Sequence, residues 1–164
     1  MRRSRQLKPL SSEHHHALLV AFQLRQALAG RAESAGAPRD LAGLVALVRR
    51  FDEQVLKTHV RTEEDVLGAY LPPEDIRRLR AEHAELNRLV AGSRGPSPAE
   101  QRAALAAFAD LLERHVRWEE RELFPYAEGH VDDATLAVIG GELERRLVLA
   151  RSEARSGRGI TRPG

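Results

Sequence analysis

Apolar residues recur every three or four positions along most of the chain, the spacing of amphipathic helices. Leu18, Ala21, Leu24 and Leu28 predict a first helix from Glu13 to about Ala32, capped by Ser11 or Ser12. Glu33-Ser-Ala-Gly-Ala-Pro38 breaks it. A second helix is expected from about Asp40 to Tyr70, with Leu41, Leu44, Val48, Val55, Leu56, Val66 and Leu67 inward. Leu71-Pro72-Pro73 stops it, and Pro73 suits the first turn of a third helix reaching about Val90. After a Gly92–Pro96 loop, Ser97, Pro98 and Glu100 form a helix start with a capping box. The fourth helix should run to about Glu128. A shorter fifth follows an Asp132 cap and carries Leu136, Ile139, Leu143, Leu147 and Leu149, its middle weakened by Gly140-Gly141. No strand pattern competes. The expected fold is all-α: an up-down-up-down four-helix bundle with an additional short C-terminal helix across one end or along one side. Residues 1–10 read as an N-terminal arm, 11–154 as the bundle domain and 155–164 as a disordered tail.

Composition narrows this picture. At 164 residues, 42% hydrophobic and 30% charged, the chain suits one globular domain; 4% aromatics leave the core to Leu, Ala and Val. It has no cysteine, which excludes disulfides and thiolate metal sites, so any metal must be held by His, Asp or Glu. The basic start has no apolar run behind it that could serve as a signal peptide, and no stretch approaches a membrane span. A cytoplasmic protein is expected. The net charge is +2, and arginines are mixed with Glu throughout instead of forming a stripe with interleaved aromatics, so no nucleic-acid partner is expected.

The apolar stripes are interrupted by ionisable residues. His115 and Glu119 stand four apart, on one helix face with Phe108, Leu111, Leu112 and Leu123. The stretch His59-Val-Arg-Thr-Glu63-Glu-Asp-Val-Leu-Gly-Ala-Tyr70 repeats His115-Val-Arg-Trp-Glu119-Glu-Arg-Glu-Leu-Phe-Pro-Tyr126 at His, Val, Arg, both Glu and Tyr. His83 lies mid-way along the third helix on its apolar side. Of His14-His15-His16, His14 is in phase with Leu18 and Ala21 and is the best inward candidate. His15 shares a stripe with Leu19 and Phe22 and is second, and His16 should face solvent. Buried ionisable groups cost several kcal/mol unless paired or bound to metal. One inward histidine is ordinary packing; four helices each turning one inward, two with a matched glutamate, predict a metal site. Imidazole and carboxylate without thiolate suit iron, manganese or zinc, and carboxylates from opposite helices can bridge two ions.

The pattern of Glu-His near the start of the first helix, HxxxEE in the second, Glu82-His83 in the third and HxxxEE-x-x-Leu-Phe-Pro in the fourth resembles the hemerythrin-like, or HHE cation-binding, family over residues of about 10 to 128. The resemblance implies a cofactor of two iron ions in a non-haem di-iron centre with an oxygen-derived bridge. By position, His14 and His59 would bind one iron, His83 and His115 the other, and Glu63 and Glu119 would bridge them. Oxygen-carrying members place a second histidine one turn after the third-helix ligand, where this chain has Asn87.

The expected function is binding or sensing of oxygen, nitric oxide or peroxide, or handling of iron and oxidative stress. The alternative is a helical interaction module with a structural or regulatory metal. No residue stands out as a proton donor for catalase-like or ferroxidase turnover. Glu64 and Glu120, turned about 100° from the ligand candidates, are expected in surface ion pairs. Trp118 is expected as packing, Tyr70 and Tyr126 at the bundle end, and His130 in a solvated loop.

Overall fold

The computed structural model describes residues 5–149. Its helices are α1 (Lys8–Leu28), α2 (Leu41–Phe51), α3 (Lys57–Leu67), α4 (Pro73–Gly92), α5 (Pro98–Trp118), α6 (Phe124–His130) and α7 (Asp133–Leu143). A π turn over Asp52–Leu56 joins α2 to α3, and another over Glu119–Leu123 joins α5 to α6, so each pair forms a continuous helical run. The described residues contain no strand, and none of their helices is long and apolar enough to cross a membrane.

Caps expected at Ser97 and Asp132 form, and Asp40 caps a third helix near its expected start. Asp40 accepts the Gly43 amide at 2.7 Å, Ser97 and Glu100 make the reciprocal capping box, and Asp132 accepts the Thr135 amide at 3.0 Å. α1 differs. It begins at Lys8, a turn before the serines, because Pro9 sits in the first turn, where its missing N–H costs nothing. Ser11 is thereby freed for another task. Leu7 and Leu10, within the expected arm, are fully buried; residues 1–4 and the expected tail at 155–164 lie outside the described residues.

The helices bury two apolar clusters. One contains Ala17, Val20 and Leu24 of α1, Leu44 and Val48 of α2, Leu86 and Leu89 of α4, and Leu105, Phe108 and Leu112 of α5. The other gathers Leu7, Leu10, Val66, Leu67, Leu79, Trp118, Leu123, Phe124, Ile139 and Leu143. α7 contacts α1 and α3 and closes this second cluster. Gly140 makes that closure possible, since a Cβ there would lie 2.9 Å from Cα and Cβ of Gln6. Along each long helix the switch between clusters falls at or just beyond a buried histidine, with Val60 and Val116, next after His59 and His115, still in the first cluster. His14 lies between Leu10 and Ala17, His59 between Leu56 and Val66, His83 between Leu79 and Leu86, and His115 between Leu112 and Trp118. A polar layer is therefore sealed between two apolar ones.

Candidate metal centre

All six residues singled out in the sequence occupy that layer. His14 (3% exposed), His59 (5%), Glu63 (0%), His83 (2%), His115 (2%) and Glu119 (0%) are out of reach of bulk water. Glu119 opens the π turn after α5, and its two oxygens diverge: Oε2 lies 3.0 Å from His14 Nε2, and Oε1 lies 2.8 Å from His115 Nε2. Glu63 Oε2 stands 3.5 Å from His83 Nε2 and 3.9 Å from His59 Nε2. The histidines pair through the same nitrogen, with 3.3 Å between Nε2 of His14 and His59 and 3.2 Å between Nε2 of His83 and His115. Two groups of convergent donor atoms result, Glu63–His83–His115–Glu119 and His14–His59–Glu119, sharing Glu119.

The opposite ring nitrogens explain the convergence. Glu13 Oε2 accepts from His59 Nδ1 at 2.6 Å, and Glu64 Oε1 from His83 Nδ1 at 2.7 Å. Glu82 Oε2 accepts from His115 Nδ1 at 2.8 Å, and Glu120 Oε1 from His14 Nδ1 at 2.7 Å. Each carboxylate comes from the helical run before its histidine, and the last hands back to the first, so the four contacts form a closed ring around the bundle. A hydrogen on Nδ1 leaves Nε2 of a neutral imidazole as a bare lone pair. The ring thus aims four lone pairs at the space between Glu63 and Glu119. Ser11, released from capping, donates to Glu120 Oε1 at 2.7 Å.

Glu64 and Glu120 were expected in surface ion pairs; Glu64 makes one, 3.4 Å from Arg80, but both also contact an inward histidine, His83 and His14, which that reading left out. A residue turned 100° from an inward one points across the seam to the next helix, not out to solvent. Glu13 and Glu82 had been assigned no role. The available signal was adjacency, for each of the four carboxylates neighbours a ligand candidate in sequence.

The electrostatics call for positive charge between the two glutamates. All four side-chain oxygens of Glu63 and Glu119 are buried without a hydrogen-bond partner, although histidine nitrogens lie close by, because the ring hydrogens point outward. Without a cation, extra protons must supply the positive charge. Burial opposes charging His14, yet hydrogen bonds to Glu120 and, once Nε2 also carries a hydrogen, to Glu119 outweigh it and raise its pKa to about 9. Burial likewise opposes charging His115, but the Glu119 charge and the hydrogen bonds to Glu119 and Glu82 raise its pKa to about 10. For His59 burial wins against the Glu63 charge and lowers the pKa to about 4. Burial disfavours the charge on Glu119 as well, but His115 and His14 hold its pKa well below the usual carboxylate range.

The neighbouring candidates fall elsewhere. His15 and His16 are exposed, which leaves His14 as the inward residue of α1. Asn87 is exposed too, and lines a surface groove with Asp52, Lys57 and Arg94 outside both donor groups. Trp118 is packed, as expected. Tyr70 is exposed; Tyr126 stacks on His130, which ends α6 and so lies in a helix, not a loop. Beside His14, His59 and His115 lies a void whose apolar lining includes Ala17, Phe51, Leu56, Leu112 and Val116. It is small, with room for roughly one water.

Sequence comparison agrees with this geometry. The hemerythrin HHE cation binding domain matches residues 7–127 and, in a second overlapping match, 79–142. Neither the curated proteins nor the solved structures give a significant match. A sealed layer of histidines and glutamates, set in a helical bundle and matched over most of its length, places the chain in the hemerythrin HHE cation-binding family.

Proposed function

We propose that this protein holds two iron ions in a non-haem di-iron centre and binds a small ligand there, of the size of oxygen, nitric oxide or peroxide. His14 and His59 would hold one iron, His83 and His115 the other, with Glu63 and Glu119 between them on an up-down-up-down arrangement of four helices. One observation carries the reading: four Nδ1-protonated imidazoles and two unpartnered buried carboxylates converge on one space. So many lone pairs and negative charges in an apolar enclosure are tolerable around cations and around little else. Two histidines per ion with shared carboxylates give a borderline-hard donor set that suits iron or manganese. Iron in such a site supplies reversible electron exchange with a bound ligand. The protein's own groups fix the imidazoles through the outer carboxylates and exclude water with the two apolar clusters. The void beside His14 and His59 favours a diatomic or peroxide-sized ligand, because it cannot take anything much larger than water.

Metal analysis of protein purified without chelators, together with its visible spectrum before and after azide, oxygen or peroxide, tests the proposal. Two irons per chain and a ligand-sensitive charge-transfer band are expected. Zinc with no ligand response would favour a helical interaction module with a structural metal, and no uptake of anaerobic iron would overturn the reading.

A further inference from the structure

Arg78, on the outer face of α4, lies over the ring of Trp118, its guanidinium carbon 4.0 Å from the centroid. Its Nε donates to Glu82 Oε1 at 2.9 Å, and the other oxygen of Glu82 accepts from His115 Nδ1 at 2.8 Å. Trp118 itself is 5% exposed and sits 6.3 Å, ring to ring, from His115. The four side chains form a loop that leaves α5 at Trp118, crosses to α4 and returns to α5 at His115.

We infer that Arg78, lying over Trp118, is a positioning residue that fixes Glu82 and through it the metal-facing orientation of His115. The inference rests on the metal-centre reading above. An exposed Arg–Glu pair four residues apart is ordinarily worth little, because two long side chains must be ordered to make it. Here the ordering is done by the indole. A planar guanidinium stacked on an aromatic face keeps its edge donors free, and Nε is aimed at the carboxylate. Glu82 then has one oxygen committed to Arg78 and the other to His115, so its rotation is blocked from both sides. The internal repeat shows that the device belongs to one half. Trp118 stands where the first copy has Thr62, and threonine offers no aromatic face.

The chain has a single tryptophan, so anaerobic iron(II) titration of the whole protein, followed by Trp118 emission and by competition with a chelator, reads this corner of the site directly. Arg78→Gln should weaken one of two binding steps by about tenfold, the low end of the roughly 10- to 100-fold effect of direct outer partners of metal ligands. Arg78→Lys, which keeps the charge but not the planar guanidinium, should fall between it and the parent. In a Glu82→Gln background, Arg78→Gln should cause no further loss. Unchanged binding in Arg78→Gln, full rescue by lysine, or an equal loss with and without Glu82 would each overturn the role. Parent protein that takes up no iron would overturn the metal-centre reading itself, and this inference with it. Helix content and melting temperature of each variant separate a loss of fold from a loss of positioning.

Discussion

The two sides of the polar layer are built from one repeated motif and surrounded differently. On the side of His14 and His59, Phe124 stacks on His14 at 5.4 Å, nearly parallel, and the small apolar void borders both rings while touching only His115 of the other pair. On the side of His83 and His115, the outer carboxylates meet arginines: Arg78 binds Glu82 at 2.9 Å, and Arg80 lies 3.4 Å from Glu64. The repeat supplies equivalent donors; the residues around them decide what each side does. In the proposed metal centre, the arginine contacts at Glu82 and Glu64 would suit retention of an ion, and the void would suit a ligand that comes and goes. Glu119, with one oxygen toward each side, is the element the two sides share.

The largest break in the comparison should come from removing the shared element. Glu119→Ala is expected to abolish binding of both metals, whereas His59→Ala should reduce the content from two ions toward one and leave the side of His83 and His115 occupied. Elemental analysis after anaerobic loading distinguishes them. Equal loss in both variants would show that the sides do not bind separately. His130→Ala, at the solvent end of α6, should change nothing.

Next come the outer carboxylates. Glu120→Gln should weaken the His14 side and Glu64→Gln the His83 side, each by roughly 10- to 100-fold in metal affinity. Chelator competition on singly loaded protein reads which side has changed. Absence of any effect from either variant would reduce the ring of four contacts to packing.

These four glutamates also mark where sequence reasoning stopped. The helices and the inward direction of the six histidine and glutamate side chains were legible because each follows from periodicity: a histidine in phase with Leu79 and Leu86 must turn inward. The outer ring depends on what the adjacent helix presents, and a single helix projection places Glu64 and Glu120 simply off the apolar stripe. Only the seam between helices shows that the off-stripe direction meets another histidine. The start of α1 was missed for a related reason. Pro9 reads as a breaker, yet it is a first-turn residue here, because Leu7 and Leu10 gain burial against Ile139 and Leu143. The same limit applied at Asn87, one turn beyond His83 but turned a further 40° and exposed.

Protonation should sharpen the contrast between individual histidines. In metal-free protein His14 and His115 have pKa values raised to about 9 and about 10, above the unfolded value near 6.5. Their stabilising contribution is therefore complete below about pH 6.5 and is lost as the pH climbs through 9 to 10. His59 behaves oppositely: its value near 4 means that stability is lost as the pH falls from about 6.5 toward 4. Metal-free melting temperature should thus decline toward both extremes. Metal must displace the protons on His14 and His115, so affinity should rise with pH up to about 10, with proton release on binding. Calorimetry in buffers of different ionisation enthalpy counts those protons; metal affinity flat between pH 6 and 9 would contradict this account.

The smallest effect should come from filling the void. Ala17 is buried on α1, one turn past His14, and lines the void along with Leu112 and Val116. Ala17→Val adds two methyl groups to a space that holds about one water-sized sphere. Overpacking of this kind costs about 1–3 kcal/mol where it clashes and less where a void accepts it. Metal content should stay as in the parent, because Ala17 carries no donor atom and the substitution is directed into the void. Azide or nitric oxide affinity should fall by several-fold, measured from the ligand-induced change in the visible spectrum of iron-loaded protein. A matching substitution in the other apolar cluster, Ile139→Leu, should leave ligand affinity alone. If Ala17→Val binds ligand as tightly as the parent, the exchangeable position is not the one beside His14 and His59, and the assignment of roles to the two sides must be reversed.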